Sequence, residues 1–169
     1  MRQAAMSIAA MIAFGLAIAG GAVAAGATPG PPENAAKPMG VEQLYKVYRN
    51  KTWVWPDGGG FFASDGRFIA WSGKGDAGTY AEGRWWATGG TGEVCFQAAW
   101  HSAKGVAHDR TCFAHRATGG IIYQKKEPSG AWYPFKNSPG GPNDEFQKLQ
   151  EGDLVTENLK QLKALIVKE

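Results

Sequence analysis

Three histidines recur at an interval of seven, His101, His108 and His115, and evenly spaced imidazoles raise the question of a metal. Along a strand, seven residues cover about 23 Å at ~3.3 Å per residue. The ligands of one zinc converge to about 2 Å from the ion. His108 and His115 therefore cannot share a metal if they lie in one strand, and neither a metal nor another cofactor is expected. Acid–base chemistry finds little more support. Asp57, Asp65, Glu82 and Glu93 are candidates, but a turn accounts for Asp65, the Pro56–Gly60 loop for Asp57 and a partner such as Arg84 for Glu82. The chain has no Gly-x-Ser-x-Gly, no His-Glu-x-x-His and no nucleophile beside a base. Gly58-Gly59-Gly60 lacks the Gly-Lys-Ser/Thr ending of a phosphate loop. The reading is of a non-enzyme, with an enzyme of unknown class as the second alternative.

The two cysteines, Cys95 and Cys112, are better placed for chemistry with each other. If His101 to Val106 connect two antiparallel strands, Trp100 faces Ala107 and Cys95 lies directly opposite Cys112. Opposed Cα atoms in such strands sit about 4.5–5.5 Å apart, within the span of a disulfide. A closed loop of about 18 residues would stabilise by roughly 3 kcal/mol on the chain-entropy model. The same register puts Val94, Phe96, Ala98, Trp100, Thr111 and Phe113 on a core face. Glu93, Cys95, Gln97, Arg110, Cys112 and Arg116 fall on a wetter one.

The seven tryptophans are the strongest lead to function. They exceed what a small core comfortably buries, and adjacent Trp85 and Trp86 must point to opposite faces of a strand. Trp85 shares its face with Ala81, Gly83 and Ala87, which assigns it to the core. Trp86 shares its face with Glu82 and Arg84. The residues expected to face a ligand are Trp55, Trp71, Trp86, Trp100 and Tyr133. The partner classes such a surface fits are a glycan, an apolar small molecule or another envelope protein.

These side chains have to be held by strands. Short aromatic or β-branched runs alternate with glycine-rich turns at 52–55, 60–64, 67–72, 79–88, 92–100, 107–116, 120–125 and 131–136. That spacing predicts an all-β fold, an antiparallel up-and-down meander closing into a barrel of about eight short strands, with a two-sheet sandwich as the alternative. Asp65-Gly66 predicts a two-residue hairpin turn with Ser64 opposite Arg67, Phe62 opposite Ile69 and Gly60 opposite Trp71. Gly83 predicts a bulge or bend in the long 79–88 strand. Val41, Leu44, Tyr45 and Tyr48 form a helical stripe before the barrel. Leu159, Leu162, Leu165 and Ile166 form another behind it, with Thr156 as its N-cap.

Residues 1–27 read as a cleavable signal peptide: Arg2, an apolar run from Ala4 to Val23, and a small-residue exit with cleavage at Ala24, Ala25 or Ala27. The expected location is periplasmic, with no membrane span after cleavage. Residues 28–40 carry four prolines and read as a tether, 41–153 as the β-barrel domain and 154–169 as a helical tail. The chain has 18 basic and 15 acidic side chains, so losing Arg2 leaves a net charge of 17 − 15 = +2. That balance lacks the basic stripe of a nucleic-acid binder.

The ordered motifs Lys51-Thr52-Trp53-Val54-Trp55, Gly59 to Trp71 (GGFFASDGRFIAW), Tyr80-Ala81-Glu82-Gly83-Arg84-Trp85, Cys95-Phe96, Thr111-Cys112-Phe113-Ala114-His115 and Ser129 to Phe135 (SGAWYPF) form a distinctive set. From about Tyr45 to Leu154 the chain resembles the family called domain of unknown function 995, exported alphaproteobacterial envelope proteins. The resemblance implies an exported single domain and carries no activity. A five-residue likeness, Ser129-Gly130-Ala131-Trp132-Tyr133, is similar to a segment of periplasmic lysozyme inhibitors. Inhibition of a lysozyme-like or other envelope hydrolase is therefore the first alternative function.

Overall fold

The computed structural model describes residues 35–138 and 144–166. The signal-peptide assignment and the first part of the tether lie outside the described residues. Within them, no helix is long and apolar enough to cross a membrane. Ten antiparallel strands form one sheet: β1 (Lys37–Pro38), β2 (Lys51–Trp55), β3 (Gly58–Phe62), β4 (Arg67–Ser72), β5 (Thr79–Thr88), β6 (Glu93–Ser102), β7 (Gly105–Thr118), β8 (Ile121–Lys126), β9 (Tyr133–Lys136) and β10 (Leu149–Glu151). Strands β2 to β9 pair in sequence order, as short hairpin connections require, and β10 returns to lie beside β2. The expected meander is present, in a single sheet rather than two facing ones.

The sheet curls into a half-barrel. Among the described residues no ladder joins β9 to β10. A 3-10 turn, Glu145–Lys148, packs against both β2 and β9 and spans that seam. At the other end, β7 outruns β6. Lys37 and Pro38, at the end of the expected tether, pair with Ala117 and Arg116 along the vacated edge. Ala36 and Met39 are buried beside them.

The β6–β7 register is the one that the cysteines predicted: Cys95 faces Cys112 and Trp100 faces Ala107. The hairpin is tighter than expected, because pairing continues to Ser102 and Gly105. The β3–β4 register differs from expectation by one residue. Phe62 faces Phe68, Phe61 faces Ile69 and Gly60 faces Ala70. The connection is three residues long, not two: the N–H of Gly66 donates to Ala63 O at 3.1 Å, and Gly66 takes a φ of 82°. This is a turn followed by a left-handed glycine, the usual three-residue hairpin. Asp65 completes it by accepting from the Arg67 backbone N–H and Nε at 3.0 and 2.7 Å. A one-residue slip exchanges the faces of a strand, and here it brings Phe62 and Phe68 together in the core.

Gly83 does not mark a bulge. It pairs regularly with Phe68 on one side and Ala98 on the other. Glycine is needed there for space, since a Cβ would lie 2.0 Å from Gln97 O. The register shift in the sheet falls instead between Ile122 and Tyr123.

Helix α1 (Val41–Tyr48) and the concave side of the sheet enclose the main core, which includes Leu44, Tyr48, Phe62, Phe68, Trp85, Val94 and Phe135. The buried stripe of α1 is Leu44, Val47 and Tyr48, while Val41, expected to join it, is exposed. Each large apolar side chain buried here contributes about 1.5–3 kcal/mol. Helix α2 (Thr156–Ile166) covers part of the convex side, where Val155, Leu159 and Leu162 meet Tyr80 and the partly buried Phe61, Ile69 and Trp71.

Candidate functional site

The structure disperses the five aromatic residues assigned to a ligand surface. Trp55 lies across the glycines of β3, where a Cβ on Gly58 would sit 2.4 Å from its Nε1. Trp55 and Trp100 both pack against the main core as part of its wall. Tyr133 turns its hydroxyl inward to donate to Gln124 Oε1. Trp86 stands half-buried on the convex face, with the Arg110 guanidinium 5.2 Å from its ring centre. It pairs with Cys95, which is fully buried although its face of β6 was expected to be the wetter one. The Cys95–Cys112 disulfide is formed, with a Cα–Cα distance of 4.1 Å. Of the five, Trp71 borders a groove.

That groove depends on how α2 is seated. Thr52, buried in β2, donates its hydroxyl to Gly152 O at 2.7 Å and accepts the Leu154 N–H at 3.1 Å. Asp153 Oδ1 then accepts the N–H groups of Val155 and Thr156 at 2.9 and 3.0 Å. The Val155 carbonyl takes the first helical bond, from Leu159. Val155 is therefore the N-cap residue, and the capping carboxylate belongs to Asp153 rather than Thr156 as expected. Burial pushes the Asp153 carboxyl up, but hydrogen bonds from Thr156 and the Val155 and Thr156 backbone hold it below its usual value. Farther along, Lys163 reaches Glu82 at 2.8 Å, so Glu82 is paired across the interface and not with Arg84. Gly78 lets the helix sit close, since a Cβ there would meet Leu162 Cδ2 at 2.3 Å.

With α2 so placed, Asn158, Gln161, Leu162 and Leu165 fall on one helical face opposite Trp71 and the Gly73-Lys74-Gly75 link. They enclose about 270 Å³. The chemistry on offer is specific in kind: an indole, two carboxamides that both donate and accept, and one ammonium. None of these lining side chains is a carboxylate, imidazole, thiol or hydroxyl.

A second cluster went unnoticed in the sequence. His115 is 0% exposed. The Tyr48 hydroxyl lies 2.8 Å from its Nε2, and Gln124 Nε2 donates to Tyr48 at 2.7 Å and lies 2.9 Å from His115 Nε2. Tyr133 adds the bond to Gln124 described above. Burial pushes the His115 pKa down to about 4, even though the backbone of Gly92 and Phe113 pulls it upward. Its Nδ1 has no hydrogen-bond partner. Burial likewise pushes both tyrosines above their usual range. The signal was available, because His115 continues the inward face of Thr111 and Phe113. With no carboxylate hydrogen-bonded to the imidazole, the cluster reads as a polar node linking α1, β7, β8 and β9.

The other histidines do not join it. His101 stacks on Tyr80 with ring centres 4.6 Å apart, and His108 is exposed on the β7 edge. Among the described residues no three His, Cys, Asp or Glu side chains converge as metal ligands would.

The sequence profile of a family described as "Protein of unknown function (DUF995)" matches residues 15–155. No curated protein and no solved structure matches the chain.

Proposed function

The chain belongs to the DUF995 family of proteins of unknown function, and on that footing we propose that it is a non-enzymatic binding protein of the periplasmic cell envelope. Its ligand contact is the groove under α2. One observation carries this reading: Trp71, only partly used in packing under α2, also lines a concavity that presents Asn158, Gln161 and Lys74. A tryptophan recruited only for packing needs no carboxamides across from it. Export is supported by the apolar N-terminal segment with its small-residue exit and by the disulfide, which persists in oxidising compartments.

The test is retention of a ligand. Glycan arrays and mass spectrometry of lipid extracts, run on wild-type protein and on Trp71→Ala, should find a ligand that the variant loses. Empty results in both screens, or a ligand held equally by Trp71→Ala, would remove the reading.

A further inference from the structure

We infer that the ligand held in this groove is an acidic sugar, a pyranose bearing a carboxylate. The inference rests on the binding role proposed above and adds the chemical class. The shape and apolar content come first. Trp71 lines the groove with an indole, the side chain that stacks on the C–H face of a sugar ring, and Leu162 and Leu165 line it beside Trp71. A purely apolar ligand would leave unused the carboxamides of the partly buried Asn158 and the exposed Gln161 that line the groove. Vicinal hydroxyls supply both donors and acceptors to such amides.

Charge then separates acidic from neutral sugars. The groove lining and α2 together carry three lysines, and the two on α2 are engaged. Lys160 pairs with Glu157 at 2.9 Å and Lys163 with Glu82 at 2.8 Å. Lys74 is exposed, lines the groove and makes no ion pair among the described residues. No acidic side chain lines the groove with it; Asp76, two residues on, is not part of the lining. Gly73 and Gly75, with φ of 76° and 55°, flank Lys74 in a tight link that fixes where its side chain starts. A ligand that stacks on Trp71 and reaches the carboxamides therefore meets one unbalanced positive charge. A carboxylate is the complement, and its attraction to an exposed ammonium weakens with salt.

Calorimetric titration of the full protein with gluco-, galacto- and mannuronic acid trimers, and with their methyl esters, tests this. The esters keep the shape and remove the charge. At least one acid should bind five-fold or more tighter than its ester at low ionic strength. That preference should disappear in 0.5 M salt and in Lys74→Gln, while Trp71→Ala should abolish binding of both forms. Equal affinity for acid and ester, or a preference that survives Lys74→Gln, overturns the acidic class and leaves the groove as a sugar site. No binding of any acid overturns it as well. The binding role is then judged by the ligand screens and Trp71→Ala alone.

Discussion

The imidazole of His115 and the phenol of Tyr48 meet at 2.8 Å in the interior, joining the C-terminal part of β7 to the last residue of α1. An isolated charge cannot be tolerated there, and the histidine is held neutral with a pKa of about 4. An unfolded histidine titrates near 6.5. Between those values the unfolded chain binds a proton that the folded chain refuses, so stability is complete above pH 6.5 and declines as pH falls toward 4. The loss should reach roughly 3 kcal/mol, and urea unfolding at pH 7 and pH 4.5 should show most of it. His115→Gln should flatten this part of the pH profile. An unchanged profile would show that other groups produce it.

Trp85 and Trp86 should respond very differently to truncation. Trp85 is 2% exposed, packs against Tyr45 with ring centres 4.7 Å apart and tilted, and donates its Nε1–H to Ala63 O at 2.8 Å. Trp85→Ala should cost about 3–5 kcal/mol. Trp86 lies on the opposite face under Arg110, and its removal should cost about 1 kcal/mol, the scale of an exposed cation–π contact. Equal losses in thermal or chemical unfolding would contradict the face assignment.

Two glycines set close approaches of different kinds. In Gly78→Ala the new methyl would meet the movable end of Leu162. That overpacking should cost about 1–3 kcal/mol and shift α2, with loss of ligand binding. In Gly83→Ala the methyl would meet the carbonyl of Gln97 and the Cα of Ala98, which are fixed by the sheet. That variant should be the less stable of the two, as differential scanning calorimetry can show.

Thiol titration of unfolded, unreduced protein should find no free cysteine. Replacing both Cys95 and Cys112 by alanine should lower stability by about 3 kcal/mol for a cross-link with a sequence separation of 17. Detection of two thiols would contradict the bridge.

The strands were legible because their signals are local: aromatic and β-branched runs between glycine turns. The β6–β7 register was legible too, because a connection centred on 101–106 sets Trp100 against Ala107 and brings the two cysteines opposite each other. The β3–β4 register was not, since Asp-Gly suits a two-residue turn as well as the last positions of a three-residue one. The role of Gly83 was hidden because only the neighbouring strand reveals a close approach. Trp71 was identified as a candidate, but its partners could not be. Asn158 and Gln161 read as ordinary polar positions on a helix until α2 is seen lying against β4.

The groove joins residues 71–75 to residues 158–165, across β5 to β10 in the sequence. Strand β10, which precedes α2, must also find β2, the first strand of the meander. A chain emerging from its N-terminus can pair β2 through β9 as each hairpin appears, yet Trp71 has no opposite wall until the last helix arrives. The groove proposed for binding is therefore assembled only once α2 has docked, and a product that stops before α2 can hold most of its sheet and its disulfide and still lack it.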